Sequence, residues 1–177
     1  MKELSMHILD IVENSVAAGA TRVSILVEEN KERDVLVIEI RDNGRGMDEA
    51  MRRKALDPFV TTKLAKSVGM GLSLFSEASK RSGGAMTIDS EQEKGTTIRA
   101  TFGLNHVDRQ PMGDIVETMV TLVVGNPDVE FHYQYVRDGK GYSWDTEMIR
   151  ERFGDVSRSN PEVVDFVREW LAFFNMS

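Results

Sequence analysis

Apolar residues recur at Leu4, Ile8, Ile11, Val12 and Val16, the spacing of a helix buried along one side, and Gly19 supplies its stop. The run 35–40 is dominated by β-branched residues and predicts a buried strand. A second strand is predicted over 98–102, opened by Gly95-Thr96-Thr97. Between the two strands, apolar positions continue from Val68 through Leu72, Leu74, Phe75 and Ala78 to Gly83-Gly84, which predicts a helix entered through a small-residue loop. After Phe102 the segment 105–113 reads as a linker. A helix over 114–124 follows, then a turn at Gly125-Asn126-Pro127-Asp128 and a strand in which Phe131, Tyr133 and Tyr135 alternate with polar residues. Asp138-Gly139 marks a hairpin, and helices are expected over 146–153 and 161–174, the latter opened by Ser159-Asn160-Pro161-Glu162. Phe166, Trp170, Phe173 and Phe174 in that last helix are expected to cover either the sheet or another subunit.

Composition narrows the class. With 177 residues, 41% hydrophobic and 29% charged, the chain can bury one good core, or a domain with a subdomain. No apolar run approaches the roughly 18 residues that span a bilayer, and no charged-then-apolar leader opens the sequence, so no membrane association is expected. The absence of cysteine excludes disulfides and thiolate metal sites and fits a reducing cytoplasm, the expected location. A formal charge of −7 argues against broad binding to nucleic acid, whose affinity depends on Lys and Arg neutralising phosphates.

Four short blocks carry chemistry. In Asp42-Asn43-Gly44-Arg45-Gly46-Met47 a carboxylate at a strand end can accept a hydrogen bond from an exocyclic purine amine, while two glycines permit close approach of a ligand; the same residues also suit an ordinary tight turn. Asp10 and Asn14 lie four apart on the first helix and so share a face. A carboxylate beside an amide suits a hydrated magnesium ion and an attacking water, although a polar helix surface would look alike. In the third block, Asp57-Pro58-Phe59-Val60-Thr61-Thr62-Lys63 leads to Val68-Gly69-Met70-Gly71-Leu72-Ser73-Leu74. A loop opening a helix offers unpaired N–H groups and a positive dipole end to phosphate, and Lys63 adds a point charge. Thr96, at the start of a strand, places a hydroxyl where it can reach a base through water.

Taken in this order, the four blocks resemble the GHKL ATPase superfamily, which includes the histidine-kinase catalytic domain, DNA gyrase B, the ninety-kilodalton heat-shock chaperones and the MutL-type mismatch-repair ATPases. The resemblance covers roughly residues 1–104, with 105–177 as a C-terminal extension. Val12-Glu13-Asn14-Ser15 through Ala18-Gly19-Ala20-Thr21-Arg22 looks most like the MutL type, whereas the stretch from Asp57 to Leu74 looks most like a histidine kinase. The resemblance implies an α+β fold, a two-layer α/β sandwich of the Bergerat type with helices on one face of a mixed sheet. It also implies ATP and magnesium as cofactors, with Asn14 holding the metal and Asp42 reading adenine. Gly44 and Gly46 would form the turn beneath the base, Gly69 and Gly71 would lie on the phosphate side, and Met47, Lys63, Met70, Leu72 and Thr96 complete the expected nucleotide contacts. Asp10 stands where hydrolysing members usually carry glutamate, so the expected catalytic carboxylate is one methylene short and hydrolysis should be slow. Ser67 replaces the first of three glycines common in the kinase lid.

Three functions stay open at this point. An ATP-driven switch acting on a protein partner is favoured by the extension, a kinase of the anti-sigma or detached histidine-kinase sort by the lid, and an inactive nucleotide-binding adaptor by Asp10. A homodimer is also left open. His106, Arg109, Pro111 and Met112 have the spacing of a phosphoacceptor box, but Val107 replaces its acidic residue and a loop histidine is the default expectation.

Overall fold

Val23, Ile25 and Val27 are buried while Arg22, Ser24 and Leu26 are not, which is the period-two pattern of a strand covered on one side. The computed structural model describes residues 3–57 and 65–175, with 65–70 described by their backbone alone. Helix α1 (Leu4–Ala17) leads into strands β1 (Arg22–Asn30) and β2 (Val35–Asp42), followed by a short helix α2 (Glu49–Ala55) and the long helix α3 (Ala65–Arg81). The hairpin β3 (Met86–Glu91) and β4 (Gly95–Gly103) comes next. Then follow α4 (Ile115–Gly125), β5 (Glu130–Arg137), β6 (Lys140–Asp145), α5 (Glu147–Phe153) and α6 (Pro161–Asn175).

One six-stranded sheet runs β3-β4-β2-β1-β5-β6. It is antiparallel except where β5 lies parallel to β1, with Val23 opposite Phe131 and Val27 opposite Tyr135. The 105–177 portion therefore contributes two strands to the sheet begun by the first 104 residues. Leu4, Ile8, Ile11 and Val12 of α1 are at most 1% exposed and share the core with Ile38 and Ile40 of β2 and Phe75 of α3. Their 4-3-1 spacing explains why α1 lies flat on the sheet. The fold is the expected α+β two-layer sandwich with a mixed sheet.

The elements expected from periodicity form, with ends displaced by a few residues. Three others were not expected: β1, whose alternation of Val23, Ile25 and Val27 was legible and was passed over, and two that leave little pattern to read. Helix α2 has no apolar stripe: Ala55 is its buried residue, and its start is fixed by Asp48, whose carboxylate accepts from the Met51 amide at 2.8 Å. Strand β3 sits at the sheet edge and buries Ile88 alone. The hairpin at Asp138-Gly139 is as expected, both residues having positive φ (49° and 82°), the pair that a tight two-residue turn requires.

The last helix buries Val163, Val167 and Leu171, packs along α4, and reaches the sheet at its far end, where the Tyr133 hydroxyl donates to Asn175 at 3.3 Å. Its aromatic side continues as a ladder in which Phe166 meets Phe153 edge-on, Trp170 meets Phe174 edge-on, and Phe174 stacks on Tyr142 of β6 at 4.7 Å. Helix α5 is fastened to β5 by Thr146, which is 1% exposed. Its hydroxyl donates to Glu130 at 2.6 Å and accepts from the Phe131 amide at 3.1 Å, and Arg150 donates to the other Glu130 oxygen at 2.6 Å. Desolvation opposes ionisation of Glu130, yet these hydrogen bonds outweigh it and hold the carboxyl below its usual 4.5. The clasp is therefore at full strength above that value and is lost as the pH falls through the lowered one.

Replacing Thr146 by Val keeps the shape and removes the hydroxyl, leaving the Phe131 amide buried without a partner. The expected loss is about 1–3 kcal/mol, read as a lower thermal midpoint. An unchanged midpoint would show that the clasp adds nothing.

Candidate functional site

Strand β2 ends on Asp42, which continues the parity of Ile38 and Ile40 and so faces the helical layer. Both carboxylate oxygens are held. Ser15 of α1 donates its hydroxyl to one at 2.6 Å, and the Gly44 amide donates to the other at 2.9 Å. Ser15 is 4% exposed, so this bond ties α1 to the strand end inside the fold. It is the residue that sequence reasoning missed. The signal was its place beside Asn14, one helical turn after Ile11, whose carbonyl also lies within 3.3 Å of the hydroxyl.

Asn43 points the other way: its side-chain oxygen accepts from the Thr21 and Arg22 amides, both at 2.9 Å, and its nitrogen donates to the Thr21 hydroxyl. The turn after β2 is thereby fixed to the start of β1. Gly44 leaves room that a side chain would fill, since a Cβ there would stand 3.1 Å from an Asp42 oxygen and from the Ala18 carbonyl. Gly46 adopts φ +67° and lies directly on the Glu91 carbonyl; Gly95, at φ +106°, lies directly on the Asp42 carbonyl. Thr96 is the register partner of Asp42 across β2 and β4, and its hydroxyl meets that of Ser90 at 2.8 Å. Ser90 also accepts from the Met47 amide at 2.8 Å, so the loop after Asp42 and the β3–β4 hairpin are braced together.

On α1, Asp10 and Asn14 are half-buried on the side that meets α3. The Asp10 carboxylate rests against the α-carbon of Gly71, an approach that any Cβ would block. The Asn14 amide nitrogen is buried and has no hydrogen-bond partner. A buried unpaired amide costs free energy unless a ligand completes it. Together with a carboxylate already oriented at Asp42, this open valence fits a group that brings polar atoms to the helix face.

The expected glycine loop is a difference. Gly69, Met70, Gly71 and Leu72 lie within α3, which starts at Ala65, and not ahead of its first turn. The physical reason is the stripe Leu72, Phe75, Ala78, Ser79 and Ser82, which is buried and carries the helix back past the glycines. Leu72 itself is 2% exposed and belongs to the core, as does Met47 at 8%. Lys63 falls outside the described residues. Among the described residues no three His, Asp or Glu side chains gather in a metal-holding group. His106 follows β4 at the end where Gly103 pairs with Val35, seven residues from Asp42 along β2. That separation is about 23 Å, beyond reach of a group held at Asp42.

The family model for histidine kinase-, DNA gyrase B- and HSP90-like ATPases matches residues 2–106. The chain belongs to this ATPase family. Similarity to curated members includes the sensor kinase CckA of Brucella abortus, 41% identical over 69 residues, which are 38% of this chain and 7% of that protein. The signal transduction histidine-protein kinase AtoS of Escherichia coli is 32% identical over 103 residues, 58% of this chain and 17% of that protein. The chain thus spans less than a fifth of either relative. Among solved structures, the N-terminal domain of a DNA repair protein superposes with a TM-score of 0.55 at 16% identity, covering 88% of this chain and 58% of that one. The MutL ATPase domain of Aquifex aeolicus complexed with ADP gives 0.51 at 16% identity, covering 86% and 69%. Both likenesses concern the fold, and they cover more of the chain than the family model matches.

Two glycines separate strain from contact. Gly19, at φ +79°, has nothing within 4 Å of where a Cβ would stand, so Gly19→Ala should cost about 1 kcal/mol from backbone conformation alone. Gly95→Ala adds a collision with the Asp42 main chain and should cost about 2–4 kcal/mol. Urea midpoints measure both, and equal costs would contradict the close approach.

Proposed function

We propose that this chain binds magnesium–ATP and couples binding and slow hydrolysis to a protein partner. The observation that carries the reading is the Asp42 carboxylate, clamped on both oxygens by Ser15 and Gly44, with the unpartnered side-chain nitrogen of Asn14 on the residue next to Ser15. Each oxygen keeps a lone pair, so a 6-amino group can be bound at no cost in reorganising the acceptor. Membership of the ATPase family and the ADP bound to the Aquifex neighbour support the choice of nucleotide.

In this reading Asp42 accepts from adenine, Gly44 leaves the room that the ring needs, and Thr96 offers its hydroxyl beside it. Asn14 would supply its side-chain oxygen to the ion, while its unpaired amide nitrogen would donate to a phosphate oxygen. Magnesium, when bound, would offset phosphate charge. Asp10 would accept the proton of an attacking water, and its short side chain, seated on Gly71, sets it back from the phosphates and slows the step. Lys63 and the glycines of α3 complete the phosphate side. The 105–177 portion, which joins the same sheet, offers the route to a partner. Among the described residues no helix is long and apolar enough to cross a membrane, and we take the site of action to be cytoplasmic.

Phosphoryl transfer to a protein is the second reading, favoured by the 41% and 32% identities to sensor and histidine-protein kinases. Incubation with γ-labelled ATP, alone and with lysate, separates the two: free phosphate for the switch, a labelled protein for the kinase. For the switch, Asp10→Asn should lower phosphate release by about a hundredfold or more, and Asp10→Glu should raise it. Equal release by wild type and Asp10→Asn, above a blank without protein, would remove Asp10 from the reaction.

A further inference from the structure

The amino-terminal turn of α1 is not capped by its own residues. Glu3 makes no side-chain cap; instead the Leu4 amide donates to the Pro111 carbonyl at 2.9 Å and the Ser5 amide to the Met112 carbonyl at 2.8 Å. Residues 104–114, which connect β4 to α4, are therefore bound to the helix that carries Asp10 and Asn14. Arg109 stiffens this connector by donating to the Leu104 carbonyl at 2.6 Å and to the Gln110 carbonyl at 3.1 Å.

A third bond completes the attachment, from His7 to the Gln110 side-chain oxygen at 2.9 Å. His7 is 2% exposed, and its ring lies 5.5 Å from that of Phe75 on α3. With Nε2 donating to Gln110, Nδ1 is the bare nitrogen, and it is buried without a partner. Adding a proton there would create a buried cation with one donor unmet, which is costly until water reaches it. Lifting the connector away admits that water.

We propose that His7 is a pH-sensitive latch, which holds the connector on α1 when neutral and releases it when protonated. Among the described residues the charged group acting on the ring is Asp10, further along α1, which favours the cation. From α3 the ring meets Phe75, and the connector presents neutral Gln110, with the Arg109 guanidinium turned back onto carbonyls. Burial is the largest influence and holds His7 below its usual 6.5, in the direction the latch requires. Since the released ring titrates normally, attachment weakens as pH falls below 6.5, by up to about tenfold per pH unit, until the lowered value is passed.

Helices α1 and α3 run antiparallel here, His7 against Phe75 and Asp10 against Gly71. Release at His7 thus begins one turn from the Asp10 contact, about 4.5 Å along the axis.

The test is amide exchange of Leu4 and Ser5 in the full chain, read by NMR as protection factors at pH 7 and pH 5. In the wild type both should lose protection, by up to about thirtyfold, while amides paired between β1 and β2 keep theirs. His7→Gln, which cannot titrate, should show no such loss. Gln110→Glu should reverse the sign, because a carboxylate holds the protonated ring and preserves the attachment at pH 5. Protection that is independent of pH in the wild type, or an equal loss in His7→Gln, or a larger loss in Gln110→Glu, would overturn the latch. No nucleotide is involved, so the outcome is separate from that of the proposed ATP site.

Discussion

Helix α1 can offer Asp10 and Asn14 to a ligand only because its opposite side is sealed against the sheet. Leu4, Ile8 and Val12 are fully buried and Ile11 nearly so. Burying four such side chains contributes on the order of 6–12 kcal/mol before entropy is counted. That seat fixes the helix in rotation. The hydrogen bond from Ser15 to Asp42 then fixes it in translation, since a slip of one residue would carry the hydroxyl away from the strand end. Orphaning the Asn14 amide and pressing Asp10 onto Gly71 are costs that this burial sustains. The pattern agrees with the general tendency for departures from local optimisation to collect at functional sites.

Glycines define the rest of the site by what they omit. At Gly46 and Gly95 the absent side chains let the loop after β2 and the β3–β4 turn close on one another through main-chain contact. At Gly71 the omission lets α3 lie on the Asp10 carboxylate. The groups proposed for the adenine side and for the phosphate side are thus brought together by packing, with few direct bonds between them.

What the sequence revealed follows from how local each cause is. The stripe of α1, the β-branched run of β2, the alternation Phe131, Tyr133, Tyr135 and the Asp138-Gly139 turn are set by neighbours within a few positions, and all are legible. Motif order then pointed to the sandwich. Strand β3 and helix α2 bury one residue each and leave no period to read. The parallel pairing of β5 with β1 joins residues more than a hundred positions apart, as does the capping of α1 by Pro111 and Met112, so 105–113 read as a linker when it is a fastening. The glycines at 69 and 71 looked like a loop because local propensity disfavours them in a helix, whereas burial of Leu72 and Phe75 overrides it. Asp10 and Asn14 were singled out from helical spacing and Asp42 from its place at a strand end; Ser15, whose hydroxyl ties α1 to Asp42, was passed over.

The central claim is that the Asp42 carboxylate reads an amine. Calorimetry with magnesium should show wild type binding ATP about ten- to a hundredfold more tightly than inosine triphosphate, whose base carries a carbonyl in place of the 6-amino group, the worth of one hydrogen bond to a charged acceptor. Asp42→Asn should remove most of that preference. Equal affinity of the wild type for the two nucleotides would contradict the account.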